Sequence, residues 1–366
     1  MGRTSHTTLA SQCAAVVAAL IGTAALTIMA LSGHPAAAAT SPTPANPNTP
    51  GTPATPSGPP RYYADVEGST IVVRATATGA ITSQVSFHEG VIQALAAAGD
   101  DRTFYYVTDE QSFQRIMRFR LTAKGAITGL TEVRDGTLNP QAVADSLAVS
   151  PDGADLAVGE FFDPSPAGGG GPTAELVVVN QRTGKQTIWQ GINHKNWPVS
   201  IPSVSWTRDG RSVVYLLQWC SKGLEGTDTC MSQSRQDQQV WTLDAASPGG
   251  SLAAHGHRLL ASSARYPIIQ QAIAAGRDGE IIVMVVSPNT QHGHLAIDLV
   301  SVPAGKTRTV LYHGAEGLAA GSSLSADASG AYLLLADGFG PHHGWIHGGA
   351  LHLLPPTNGS GEPLAW

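Results

Sequence analysis

Four acidic residues follow two apolar segments of the chain, and their chemistry suits a divalent cation. Asp109 and Glu110 follow the first segment, and Glu160 and Asp163 follow the second. Carboxylate oxygens are the ligands that hard cations prefer, and a bound cation can activate water for hydrolysis. Both segments have the composition of strands, so the acids are expected in the connections that follow them. We interpret them as solvated loop acids, with a cation site as the alternative.

Imidazoles are concentrated near the C-terminus, at His342, His343, His347 and His352. Neutral imidazoles bind zinc, and short His-rich segments sometimes do so. His342 and His343 are neighbours in a Gly- and Pro-containing segment that is typical of a loop, and adjacent residues of a strand would face opposite ways. We expect a polar loop, with a zinc site as the alternative.

Other catalytic patterns are incomplete. Four glycines at 168–171 could cradle a phosphate, but the Gly-Lys-Ser/Thr of a P-loop does not follow them. The Gly-x-Ser-x-Gly sequence of a nucleophile elbow does not occur between Arg61 and Trp366. The sequence therefore gives us no residue to assign as catalytic, as cofactor-binding or as a metal ligand.

Tryptophans are frequent in the middle of the chain. Trp206 and Trp241 lie within strand patterns, which predicts that they fill the core. Trp197 lies in the polar segment Asn-His-Lys-Asn-Trp-Pro, together with His194. Because an aromatic ring in a loop can stack on a ligand, Trp197 and His194 are the candidate ligand contacts.

The candidate acids, histidines and tryptophans lie on or between copies of a β-hairpin that recurs along the chain. Its clearest copy is Leu147–Val158, in which Ser-Pro-Asp-Gly separates two short apolar strands. Proline sets φ at the second turn position, aspartate can accept hydrogen bonds from nearby backbone, and glycine accepts a positive φ. Copies of the turn lie at 99–102, 151–153, 208–210, 277–279 and 328–330.

A second hairpin with glycine at its turn follows each copy, and it also precedes the first one. Gly-Ala-Ile-Thr, for example, occurs at both 79–82 and 125–128. Units of four antiparallel strands that repeat every 45 to 70 residues, roughly, are typical of β-propeller blades. The prediction is an all-β propeller of six blades, with five or seven as alternatives. The first blade lacks its innermost strand, which residues 363–366 could supply.

The turn sequences resemble those of WD40-like and TolB-type propeller repeats. Leu-Ala-Val-Ser-Pro-Asp-Gly-Ala-Asp-Leu-Ala-Val at 147–158 and Ser-Trp-Thr-Arg-Asp-Gly-Arg at 205–211 carry the resemblance. With its Pro-rich spacer, the chain is also similar to uncharacterised exported propellers of actinobacteria. The resemblance implies a fold over about 61–355 and no particular function. If Asp109, Glu160, Asp163 and the histidines did bind a cation, a metal-assisted hydrolase similar to the propeller lactonases would be the alternative function.

The N-terminal segment predicts export. Residues 1–40 contain a short positive end, an uncharged apolar run over 13–31 and an Ala-Ala-Ala site suited to signal peptidase. An uncleaved membrane anchor is the alternative, because the run is just long enough to span a bilayer. Residues 41–60 are rich in Pro and Thr and predict an extended linker, which leaves 61–366 as the propeller domain.

Two cysteines remain after the leader. Cys220 and Cys230 lie at the two ends of a polar, Gly-containing loop between two predicted strands. Outside the cytoplasm such a pair is expected to form a structural disulfide. Free thiols or metal ligation are the alternatives.

The net charge and the fraction of charged residues limit the kinds of partner that the protein is expected to bind. The formal net charge is −6 and only 13% of the residues are charged, without a long basic run. A nucleic-acid partner is not expected, because phosphate neutralisation needs clustered Lys and Arg. The sequence predicts an extracytoplasmic, non-enzymatic binding or scaffold module for a protein, peptide or cell-wall ligand, either secreted or attached to the membrane by its N-terminal segment.

Overall fold

The chain folds as a six-bladed β-propeller, which confirms the expected fold class and number of blades. The blades are antiparallel four-stranded sheets, and one of them carries a short fifth strand. The computed structural model describes residues 58–87, 90–110, 113–162, 173–191, 198–219, 237–263, 266, 268–275, 280–289, 294–302, 309–314, 323–336, 344–355 and 363–366.

Within blades 2 to 6 the strands follow one another from the innermost to the outermost. Blade 2 contains β4 (Val91–Ala97), β5 (Thr103–Glu110), β6 (Phe113–Leu121) and β7 (Ile127–Thr137). Blade 3 contains β8 (Ala142–Val149), β9 (Asp155–Phe162), β10 (Thr173–Asn180) and β11 (Gln186–Gln190). Blade 4 contains β12 (Pro198–Trp206), β13 (Ser212–Trp219), β14 (Asp237–Asp244) and β16 (Gly256–Ala261). Blade 5 contains β17 (Ile268–Ala274), β18 (Ile281–Asn289), β19 (His294–Val302) and β20 (Thr309–His313). Blade 6 contains β21 (Ser323–Ala326), β22 (Leu333–Ala336), β23 (Gly344–His347) and β24 (Ala350–Leu353).

Blade 1 joins the two ends of the domain. It contains β1 (Tyr62–Glu67), β2 (Thr70–Ala75) and β3 (Ile81–Ser86), and its innermost strand is the C-terminal β25 (Leu364–Ala365). Ala365 pairs with Ala64, and Trp366 is buried against the seam between blades 6 and 1. The predicted closure of the ring by the tail is therefore confirmed.

The predicted turn chemistry is present in the first hairpin of blade 3. The Asp152 carboxylate accepts the Ser150 hydroxyl at 2.7 Å and the Ala154 N–H at 3.0 Å. Gly153 has φ of 70°, in the left-handed region that glycine adopts readily. The equivalent turn of blade 4 repeats the arrangement, with Asp209 as acceptor and Gly210 at φ of 68°. These hairpins therefore form from local sequence.

The core consists of apolar layers between the faces of adjacent blades. Because side chains alternate along a strand, Leu156 and Val158 of β9 pack towards blade 2, whereas Ala157 packs towards blade 4. Trp206 is buried in the layer between blades 3 and 4, and Trp241 packs against the same layer. The expectation that these two tryptophans fill the core is confirmed.

A segment from blade 4 extends blade 3. The two-residue strand β15 (Gly250–Ser251) pairs in parallel with β11, and the Trp189 indole N–H donates to the Pro248 carbonyl at 2.8 Å. The helix α1 (Leu252–His255) follows, capped by the Ser251 hydroxyl. No helix in the part of the chain that the structure describes is long and apolar enough to cross a membrane.

Candidate binding face

Four consecutive innermost strands carry a β-bulge near their start. The bulged residues are Gln93 in β4, Asp145 in β8, Ile201 with Pro202 in β12, and Gln270 in β17. A bulge inserts an extra residue on one strand and redirects its side chain out of the regular alternation. The bulges therefore place polar side chains of blades 2, 3 and 5 at comparable positions around the ring.

Buried glutamines bond neighbouring blades together beside these bulges. The amide oxygen of Gln114 on β6 accepts the N–H of Ala144, at 3.1 Å, and Ala144 directly precedes the bulge of blade 3. Gln238 on β14 likewise accepts the N–H of Ile269 at 2.6 Å, directly before the bulge of blade 5. The starts of these innermost strands are thereby fixed to the preceding blade.

Three large apolar side chains lie exposed at the upper end of blades 2 and 3, defined as the end at which β4 and β8 begin. Their exposed fractions are 62% for Val91, 53% for Phe113 and 41% for Val143. The Gln93 and Gln114 amide oxygens both bond the Ala144 N–H, which holds the three strand starts together. Val91 and Phe113 pair with successive residues of β5 and so project from opposite faces of blade 2 at this end. We call these three residues the apolar patch.

An acid borders the apolar patch. In the strand register Val91 lies opposite Asp109, on the same face of blade 2. The Asp109 carboxylate is half-buried and lies 3.4 Å from the Gln93 amide nitrogen. The surface thus combines apolar side chains with negative charge.

Glu160 is not the solvated loop acid that the sequence predicted. Strand β9 extends to Phe162, so Glu160 lies within it, on the same face as Leu156 and Val158, and is fully buried. Neither carboxyl oxygen has a hydrogen-bond partner among the described residues. Burial, with Glu175 and Asp145 nearby, raises the pKa of Glu160 to about 8.

Asp109 and Glu110 also lie within a strand, β5, and not in the connection that the sequence predicted. Asp109 is not equivalent to Glu160. Counted from the bulges, the counterpart of Glu160 is Thr108, because Thr108 pairs with Ile92 and Glu160 pairs with Ala144. A shift of one residue turns a side chain to the opposite face. Asp109 shares a face of β5 with Val107, and Glu160 shares a face of β9 with Val158, so both acids are on the sides of their blades that border the layer between blades 2 and 3. No group of three His, Cys, Asp or Glu in the described ranges could hold a metal ion.

Two of the four C-terminal histidines are described, and both stack on aromatic rings of blade 6. The His347 ring lies 4.5 Å from the ring of Tyr332, and the His352 ring lies 3.8 Å from that of Trp345. The His347 Nδ1 is also 3.0 Å from the Ala331 carbonyl oxygen. His347 lies in β23 and His352 in β24, so the expected polar loop is wrong for these two histidines.

Several predicted residues lie outside the described part of the chain. They are the candidate ligand contacts His194 and Trp197, the cysteines Cys220 and Cys230, the acid Asp163, and the histidines His342 and His343. Their expected roles remain predictions.

Sequence reasoning missed the apolar patch, Asp145 and Glu175. Glu160 carried a usable signal, because it falls between Val158 and Phe162 in the alternation that begins at Leu156, which places it on the core face. The patch had no such signal, since its exposure depends on where neighbouring blades end.

Comparisons with known proteins agree with the fold. No known protein family and no curated protein matches the sequence. Among solved structures, TolB from Acinetobacter baumannii is 14% identical with a TM-score of 0.52, and the match covers 83% of this chain and 65% of TolB. A chain of a nidogen/laminin complex is 10% identical with a TM-score of 0.53, and the match covers 83% of this chain and 97% of that one.

A third match is the Cps50 (Swd1) β-propeller domain of Myceliophteria thermophila. It is 12% identical with a TM-score of 0.46, covering 82% of this chain and 83% of that one. At these identities a likeness concerns the fold and not the activity. The chain is a six-bladed β-propeller that is similar in fold to TolB.

Proposed function

We propose that this chain is an exported, non-enzymatic propeller that binds a protein segment at the upper end of blades 2 and 3. The observation that carries the proposal is the apolar patch of Val91, Phe113 and Val143. The three side chains lie at the same end of adjacent blades, where exposed apolar surface is available to a partner. The β-propeller fold suits this role, because a rigid ring presents its strand ends and loops to a partner.

The chemistry of the surface specifies the class of partner. Asp109 lies opposite Val91 in the strand register, and the whole chain has a net charge of −6. Complementary charge raises association rates and selects among partners, while buried apolar contacts supply affinity. The partner that fits is a segment with apolar side chains and one or more Lys or Arg residues.

Two further observations support the proposal. One similar structure comes from a complex between two proteins, nidogen and laminin. The uncharged run at 13–31 and the alanines at 37–39 support export by a cleaved signal peptide, with a retained anchor as the alternative.

The test compares the patch with matched exposed residues elsewhere. A V91S/F113S/V143S variant replaces the patch. The control replaces Leu353, Ile81 and Leu259, which are 62%, 52% and 43% exposed on the outermost strands of other blades. Tagged full-length proteins are expressed in cells of the native source, cross-linked, and their captured proteins are identified by mass spectrometry.

We expect wild type and the I81S/L259S/L353S control to capture the same protein, and the patch variant to lose it at least tenfold. Synthetic segments from the captured protein should bind more weakly when their Lys and Arg residues are replaced by Gln. Equal capture by all three proteins would refute the assignment of this face. Turnover of a substrate by the purified wild type would refute the non-enzymatic role.

A further inference from the structure

Glu160 occupies an apolar environment without a compensating group. Its side chain shares a face of β9 with Leu156 and Val158, and these pack with Val107 and Ile116 of blade 2. The residue is 0% exposed, and both carboxyl oxygens lack a hydrogen-bond partner among the described residues. A carboxylate in such a place is strongly disfavoured relative to the neutral acid, because ionisation would leave a buried charge unsolvated.

The neighbouring strand adds a second acid directly opposite. Glu175 of β10 is the register partner of Glu160 and is itself buried. One Glu175 oxygen accepts the Gln190 amide at 2.7 Å, which fixes this carboxyl group in place. Like charges at opposed positions of antiparallel strands repel, so Glu175 further disfavours the ionised form of Glu160.

A third acid lies beside blade 4. Asp145 lies in the bulge of β8, beside the contact that β8 makes with Ile201 of β12. The adjacent Ser146 hydroxyl donates to the Ile201 carbonyl at 2.5 Å. The three acids therefore lie where blades 2, 3 and 4 meet.

The other elements around this junction provide no neutralising cation among the described residues. Strands β4 and β12 carry no titratable residue. On β5, Asp109 accepts a bond from the amide of Gln93, and the Tyr105 hydroxyl donates to a glutamine of the β10–β11 turn. On β6, Arg115 pairs with an exposed glutamate of β7 at 3.6 Å, Arg118 is exposed, and Arg120 pairs with Asp100 at 3.5 Å. The charges that act on Glu160 are those of Glu175 and Asp145.

We propose that Glu160 is a proton switch at the junction of blades 2, 3 and 4. Protonated, it allows blade 3 to pack between its neighbours. Ionised, it places a charge in the apolar layer opposite Glu175 and loosens that packing. The switch does not depend on what the propeller binds.

The pKa values place the switch in the neutral to mildly alkaline range. Burial, Glu175 and Asp145 raise the pKa of Glu160 to about 8 from an ordinary value of 4.5, and burial raises that of Asp145 to about 7. The folded protein thus holds protons that the unfolded chain has already released. The stabilising effect is complete below about pH 4.5 and is lost as the pH rises through 8.

The test follows local opening and global stability across pH. Wild type, E160Q and the control E132Q are compared as full-length proteins, because glutamine has the shape of the neutral acid and Glu132 is an exposed acid of β7. Thermal unfolding is measured from pH 5.5 to 9. Hydrogen exchange, corrected for its intrinsic pH dependence, is measured for β8, β9 and β12, with β18 of blade 5 as the internal reference.

We expect the Tm of wild type and of E132Q to fall by several degrees between pH 5.5 and 9. The Tm of E160Q should fall less over this interval, so the difference in Tm between E160Q and wild type should grow with pH. Exchange in β8, β9 and β12 of wild type should accelerate relative to β18 over the same interval. Parallel Tm profiles for wild type and E160Q would overturn the proposal. If E160Q does not fold, wild-type exchange in these strands that stays constant relative to β18 would overturn it as well.

Discussion

Glu160 and Glu175 lie directly opposite each other on adjacent antiparallel strands of blade 3, and both are buried. Glu175 accepts the Gln190 amide at 2.7 Å, whereas neither carboxyl oxygen of Glu160 has a partner among the described residues. Opposed acids of this kind are destabilising when both are ionised. The pair therefore makes blade 3 a place where stability should depend on pH.

The first prediction concerns E175Q. Glutamine keeps an oxygen for the Gln190 amide and removes the charge that raises the pKa of Glu160, so that pKa should fall below about 8. At pH 9 we expect E175Q to be about 1 kcal/mol more stable than wild type, with little difference at pH 5, where Glu160 is protonated in both. Denaturant unfolding at the two pH values measures this, and an equal difference at both would contradict it.

The second prediction concerns the closure of the ring. Trp366 is 1% exposed at the seam between blades 6 and 1, so W366A should destabilise the protein by about 3 to 5 kcal/mol. The indole N–H of Trp366 has no partner among the described residues, so W366F should cost about 1.5 kcal/mol or less. Denaturant unfolding of both variants gives the values. Equal losses of stability in W366A and W366F would show that the volume of the aromatic side chain is not what stabilises the contact between blades 6 and 1.

The third prediction separates backbone strain from close approach at two turn glycines. Gly153 and Gly330 have φ of 70° and 68°. An added Cβ at Gly153 would meet nothing within 4 Å, whereas at Gly330 it would lie 1.7 Å from the carbonyl oxygen of Ala275. G153A should therefore cost about 1 to 2 kcal/mol, and G330A distinctly more because the backbone must shift. Thermal unfolding compares them, and similar losses would show that conformation alone sets the cost.

The fourth prediction is a structural disulfide between Cys220 and Cys230. Closing a loop of this length restricts the unfolded chain and should contribute roughly 2 to 3 kcal/mol. Alkylation of the unreduced, unfolded exported protein, followed by mass measurement, tests it. Uptake of two alkyl groups without reductant would show two free thiols and would weaken the proposal of export.

The fifth prediction concerns the leader. We expect the exported protein to begin after residue 39 or so, because the alanines at 37–39 suit signal peptidase. The intact mass of the exported form measures the N-terminus. Retention of the first residues in a membrane fraction that resists washing at high pH would support an anchor instead.

The β-propeller could be predicted from the sequence because its repeating unit is local. The turn at Ser150–Gly153 folds through hydrogen bonds within five residues, and its recurrence along the chain gave the number of blades. The tail could be assigned to blade 1 for a simple reason: that blade was one strand short. Sequence patterns of this kind reveal contacts between residues that are close along the chain, and they reveal the spacing at which a unit repeats.

The site could not be predicted in the same way, since it depends on contacts between blades. The burial of Glu160 follows from the length of β9 and from the blade 2 face packed against it, and the bulge at Asp145 is defined only by the pairing of β8 with β9. The exposure of Val91, Phe113 and Val143 depends on which strand ends neighbouring blades leave uncovered. The sequence by itself determined the repeat and its turns, because these form from residues that are close along the chain. It also determined the closure of the ring, because counting the predicted strands leaves blade 1 one strand short. Only the tertiary structure decided which acids are buried and which apolar residues remain exposed, because burial is a property of surfaces brought together from distant parts of the chain.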